Sequence, residues 1–298
     1  MPSTLELSIY RTLGYFAYFK YPLTAFEVWK WLLQPEQSVS LAEVTEALST
    51  SGWLQTKLNV FQSFYSLGTT EAWAQTRHER FLDAVRKYAK AEKIVQWLGR
   101  LPWIEGVAIC NSLSWYQTTP DSDIDLFIIT KPGRVWTGRL LSTLPAILFK
   151  QRPGELALDP VCLSFFCTET ALAFETLKID QSDPYLAYWC RSLVPLLDRR
   201  GWVEKFNVHN DWLTADLPHA LPVQRANRFK TSVWWRWPWL PLSEHLARQL
   251  QLERFPASIR ALMNVDSRVV VTDNMLKFHE QDARRLIAAS LEEHMTKV

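Results

Sequence analysis

Apolar side chains recur at Leu5, Ile9, Leu13, Phe16 and Phe19, the spacing that lines one face of a helix, and Pro22 ends that segment. Thr24 then precedes AFEVWKWLL with Glu27 three residues on. In that arrangement hydroxyl and carboxylate satisfy the free N–H groups of a helix start reciprocally. Ser40 and Glu43 repeat the device before LAEVTEALS, and Gly52 reads as the stop of that third helix. The following WLQTKLNVFQSFYSLG is rich in alternating aromatic and β-branched residues, which predicts a hairpin turning near residues 57–59. Three helices and a hairpin predict a winged-helix-like domain over residues 1–70.

A long amphipathic helix is predicted from Thr70, with Glu71 behind it, to Pro102, so residues 71–102 read as a link between domains. The period then changes. GVAIC, DIDLFIIT and PVCLSFFCTE read as buried strands, separated by the short NSLSWYQTT turn and by the helix RVWTGRLLSTLPAILF. This β-α-β-α-β order predicts an α/β core over residues 103–180. Residues 181–298 read as mainly helical, closing with a helix near 278–294.

Composition narrows the class. The 298 residues, 48% hydrophobic and 21% charged, suffice for more than one core and exclude a disordered chain. The net charge of +2 carries no nucleic-acid signature by itself. Residues 1–70 hold four basic side chains against five acidic ones. The would-be recognition helix has Glu43 and Glu46 and no Lys or Arg, the wrong sign for phosphate. A protein-docking or structural module is expected there, and DNA binding is not favoured. Residues 191–240 are the most basic part, with eight basic against four acidic residues, and overlap the Trp-rich TSVWWRWPWLPL at 231–242. That stretch reads first as interdomain packing, with nucleic-acid or lipid contact as the alternative. Cys110, Cys162, Cys167 and Cys190 show no C-x-x-C pairing and read as reduced thiols. The first 22 residues lack a signal-peptide pattern, and no apolar run approaches the ~18 residues of a spanning helix. A cytoplasmic protein with no membrane span is expected.

The candidate chemistry lies between Gly106 and Thr130. Asp123 and Asp125 stand two apart at the head of a strand, so both side chains project from one face. Two adjacent carboxylates repel unless a cation sits between them, and Mg²⁺ with oxygen ligands suits that position. Upstream, Asn111 and Ser112 follow a strand and open a short helix, where free N–H groups and the Ser112 hydroxyl form a candidate triphosphate cradle.

A strand, then Gly-Ser opening a helix, then Asp-x-Asp on the next strand, is the signature of the DNA polymerase beta-like nucleotidyltransferases. The chain resembles this family across Val107–Thr130, in Ser112 and in the run Ser122-Asp123-Ile124-Asp125-Leu126, with Asn111 where the family has glycine. Asn is the side chain that best tolerates glycine's left-handed backbone. The resemblance implies a nucleotidyltransferase core and a third metal-binding carboxylate on a neighbouring strand, which also helps activate the attacking hydroxyl. Asp159, just before PVCLSFF, is the candidate, ahead of Glu155 and Glu169. The wider layout is similar to bacterial nucleotidyltransferase-domain proteins with an N-terminal winged helix, in DPYLAYWCRSLVPLLD (183–198) and in Asp273-Asn274 followed by Lys277-Phe278-His279-Glu280. It implies Mg²⁺-dependent transfer of a nucleoside monophosphate from an NTP, ATP first, to an acceptor hydroxyl on a small molecule, a protein or an RNA end. The competing reading is an inactive nucleotide-binding scaffold that docks a partner through its winged helix, and a DNA-binding regulator comes third. His279 is read as a neighbour of Asp282 with no catalytic role.

Overall fold

A computed structural model describes residues 1–155, 158–224 and 242–296. The Trp-rich segment, apart from Leu242, lies outside the described residues.

The N-terminal part opens with helix α1 (Thr4–Tyr18), strand β1 (Leu23–Thr24) and helices α2 (Ala25–Lys30) and α3 (Leu41–Thr50). Both expected capping boxes are present: Thr24 and Glu27 exchange hydrogen bonds at α2, and Ser40 and Glu43 do so at α3. Gly52 is not a stop. Ser51 ends α3, and its hydroxyl accepts from the Leu54 N–H, so Gly52 becomes the first residue of a further helix, α4 (Gly52–Lys57). The hairpin therefore begins later than expected, as β2 (Asn59–Phe61) and β3 (Phe64–Ser66). Its turn falls at Gln62 and Ser63, whose φ angles of 47° and 68° give the left-handed pair that suits a two-residue loop. β1 pairs with β3, giving the order β1-β3-β2.

Helix α5 (Thr70–Leu98) runs from this small sheet to the main one. There the expected alternation appears in order: β4 (Ile104–Ile109), α6 (Asn111–Ser114), β5 (Ile124–Thr130), α7 (Val135–Leu148) and β6 (Val161–Thr168). The remainder is less helical than its composition suggested. It comprises α8 (Pro184–Arg191), β7 (Val194–Asp198), α9 (Trp202–His209), α10 (Leu213–Asp216), α11 (Glu244–Glu253), α12 (Ala257–Leu262), β8 (Val269–Val271), β9 (Met275–Phe278) and α13 (Arg284–Met295). Half of the six-stranded sheet, in the order β7-β4-β5-β6-β9-β8, thus comes from beyond residue 180. The closing helix starts at Arg284 and not near 278, because Lys277 and Phe278 extend β9.

Among the described residues the fold is mixed α/β on a mixed sheet. β5 is antiparallel to β4 and parallel to β6. It is buried on both faces, so its sequence is a continuous apolar run. Leu126 and Ile128 join α5, α7 and Trp136 on one side, while Phe127 and Ile129 join Phe165, Trp189 and Trp202 on the other. The second cluster continues without a break into Ile9, Leu13, Phe16, Val28 and Trp31. The N-terminal part thus shares a core with the sheet. Close approach also fixes Gly106 on β4, where a Cβ atom would fall 2.3 Å from Trp202 Nε1.

Candidate functional site

β5 enters the sheet at Ile124, whose N–H donates to the Pro160 carbonyl at 2.7 Å. Asp123 and Asp125 flank that first residue, and both line one cavity of about 570 Å³. The loop leading into Asp123 is held from below by Lys87 of α5, which has no solvent exposure. Its ammonium donates to the Thr119 carbonyl at 2.5 Å and to the Ser122 carbonyl at 2.6 Å. A buried cation is tolerated where such acceptors and nearby carboxylates meet it. The helical stripe of α5 gave no hint of this role, because Lys87 sits where a core residue is expected.

The electrostatics at the pair suit a bound cation. Burial pushes the Asp125 carboxyl up to about 6, and the neighbouring Asp123 charge adds to the rise. Hydrogen bonds from Cys162 and Asn111 oppose it without cancelling it. Asp123 is also raised by burial, partly offset by Lys87. Two half-buried carboxylates whose ionised forms are disfavoured by their surroundings fit a hard divalent ion. Asp123 and Asp125 are the residues that would hold it.

Asn111 adopts the left-handed conformation, φ 54°, where the resembled family has glycine. Its side chain accepts from Trp189 Nε1 at 2.9 Å as well as contacting Asp125. Ser112 is turned away from the pair: it lines a second, aromatic cavity, and Asn111 lines both. α6 is a single turn of four residues, and of the two expected cradle residues only Asn111 lines the carboxylate cavity.

Asp159 is not beside the pair in the cavity. It sits buried at φ 55°, doubly hydrogen-bonded to the Arg86 guanidinium and 3.6 Å from Lys87 Nζ. These cations hold its carboxyl below the usual range, with the Arg86 hydrogen bond the largest cause. Among the described residues no group of three or more His, Cys, Asp or Glu side chains gathers as a metal cluster, so the expected triad of Asp123, Asp125 and Asp159 is not assembled. Glu169 is likewise engaged, by Lys205 and Arg200, and Glu155 caps its own turn at Arg152. The polar β6 residues that line the cavity with Asp125 are Cys162 and Ser164, with Phe165 following them.

His279 was passed over in the sequence and belongs to this cavity. It follows β9, and its Nε2 lies 3.2 Å from Ser164 Oγ. Burial pulls its imidazole down to about 3, so it is neutral at physiological pH. Opposite the acids, Arg284 is already paired with Asp183 and Asp282, and Lys277 donates to the Ser267 carbonyl. No helix among the described residues is long and apolar enough to cross a membrane.

No family model matches the chain, and neither does any curated protein or solved structure.

Proposed function

We propose that the chain is a nucleotidyltransferase of the polymerase beta-like class with a winged-helix-like N-terminal module, binding a magnesium–nucleoside triphosphate through Asp123 and Asp125. The observation that carries this reading is the pair itself: two carboxylates on the wall of a large cavity, with Asp125 driven up to about 6 by burial and by its neighbour. When bound, Mg²⁺ would neutralise charge on the phosphoryl oxygens. The chain's own contributions are to hold Asp123 through the loop fixed by Lys87, and to orient Asp125 through Asn111 and Cys162. An acceptor hydroxyl attacks the α-phosphorus, the bond to the bridging oxygen breaks, and pyrophosphate leaves as the hydroxyl proton is released. Exposed Glu43 and Glu46 on α3 favour a protein partner for the N-terminal module over DNA.

A second reading, nucleotide binding without transfer, is favoured by one observation: Asp159 is committed to Arg86, leaving Cys162 and Ser164 beside the pair. Calorimetric titration with ATP, GTP, CTP and UTP, with and without Mg²⁺, tests what the readings share. Metal-dependent binding by the wild type, lost in Asp123→Ala/Asp125→Ala, is expected. Absence of any NTP binding by the folded protein refutes both. Transfer of an α-labelled nucleotide to an acceptor then separates enzyme from sensor.

A further inference from the structure

The second cavity, about 170 Å³, lies between α1, α5 and the loop after α6, and is walled by rings including Phe16, Tyr21, Trp115 and Trp189. It adjoins the carboxylate cavity, since Asn111, Tyr185 and Trp189 line both. Two polar atoms in its lining residues are unusual. Arg80 Nε and Gln117 Nε2 are shut off from solvent and find no acceptor among the described residues. The Arg80 guanidinium donates through Nη1 to Gln117 Oε1 at 3.2 Å, which fixes the amide with its NH₂ free. A buried donor left unmade costs about 1–3 kcal/mol, so a ligand that fills the cavity and brings acceptors to these two residues would gain by satisfying them.

We infer that this cavity takes the base of the nucleotide, and that the base is a pyrimidine. The inference rests on the metal–triphosphate reading of Asp123 and Asp125. Flat aromatic walls suit a planar ring, and stacking on such side chains is worth about 1–3 kcal/mol per base. Size selects one ring over two: a cavity of about 150 Å³ accommodates benzene, and this one is about 170 Å³. The O2 and N3 acceptors of cytosine, or the carbonyl oxygens of uracil, can meet two donors; purines carry ring and carbonyl acceptors as well, so it is the size of the cavity that sets them aside. Ribose then spans from this cavity past Asn111 to phosphates at the carboxylate pair. The base preference thereby moves from ATP to CTP and UTP.

The test is calorimetry on the full chain in Mg²⁺ with CTP, UTP, ATP, GTP and inorganic tripolyphosphate, repeated on Gln117→Leu and Gln117→Glu after near-ultraviolet circular dichroism has verified their folds. CTP or UTP should bind about tenfold or more tighter than the purine nucleotides and tripolyphosphate, the gain of well-placed hydrogen bonds to a buried edge. Either substitution should erase that advantage and leave tripolyphosphate affinity unchanged. Metal-dependent tripolyphosphate binding with no pyrimidine advantage overturns the base pocket while the metal site stands. Tighter binding of ATP or GTP overturns the single-ring assignment, and a pyrimidine advantage that survives in both folded variants overturns the role of the Gln117 edge. If neither tripolyphosphate nor any NTP binds, the metal–triphosphate reading falls and the base pocket with it.

Discussion

Replacing Asp125 by Asn should make the protein more stable at neutral pH, the reverse of what altering a half-buried, hydrogen-bonded side chain usually does. The carboxyl is raised from 3.8 to about 6 in the folded chain, chiefly by burial. The folded state therefore holds its proton through a pH range in which the unfolded chain has released it, and stability falls as pH rises through that window. A difference of about two units corresponds to about 3 kcal/mol of destabilisation once both states are ionised. Asn leaves one amide hydrogen-bond donor facing Cys162 or Asn111, which returns about 1 kcal/mol or more. The net gain expected for Asp125→Asn is about 1–2 kcal/mol at pH 8, falling to zero or below at pH 4. Urea unfolding of both proteins at the two pH values measures it. Adding Mg²⁺ at pH 8 should raise the midpoint of the wild type and leave that of Asp125→Asn in place, since only a ligand of the folded state stabilises it. A variant less stable than the wild type at pH 8, or a difference that does not change with pH, would refute the claim that this pair stores unfavourable charge.

Three further outcomes follow from the same geometry. Asp159→Asn removes a buried carboxylate from the half-exposed Arg86 and should cost about 1–2 kcal/mol in unfolding experiments, while Mg²⁺–NTP affinity stays within about twofold. Because that carboxyl is depressed, the wild-type contribution is present above the ordinary Asp range and disappears as pH falls through the lower folded value, so the cost should shrink in acid. Lys87→Met removes the ammonium that ties the Thr119 and Ser122 carbonyls and should weaken metal-dependent nucleotide binding about tenfold, read by calorimetry on the folded variant. Gly106→Ala drives a methyl group into the buried Trp202 ring and should lower stability by about 3 kcal/mol, visible as a lower melting temperature.

What the sequence disclosed follows physical range. The capping boxes at Thr24 and Ser40 act within three residues, and the apolar run after Asp125 reflects a strand covered on both sides, so both were legible. Gly52 misled because Ser51 serves two helices at once, a choice that the glycine's own freedom does not decide. β7, β8 and β9 are three to five residues long, too short to show a period, and β7 and β9 enter the sheet through partners far along the chain. His279 reaches the cavity only because β9 pairs with β6, placing it beside Ser164 across 115 positions of sequence. Asp159 was plausible by spacing from its strand, but Arg86 captures it from 73 positions away.

The pairing of β9 with β6, and of α1 with α13, has a bearing on biosynthesis. Translation at roughly 5–20 residues per second separates the emergence of α1 from that of α13 by about 15–60 s. Throughout that interval Gly14 of α1 lacks the Leu291 and His294 side chains that later pack on it, and for the roughly 5–20 s between the emergence of β6 and that of β9 the former lacks its outer neighbour. A nascent chain in this condition presents an unpaired strand edge and uncovered apolar surface, the features that recruit chaperones and that make a prematurely terminated product prone to aggregate.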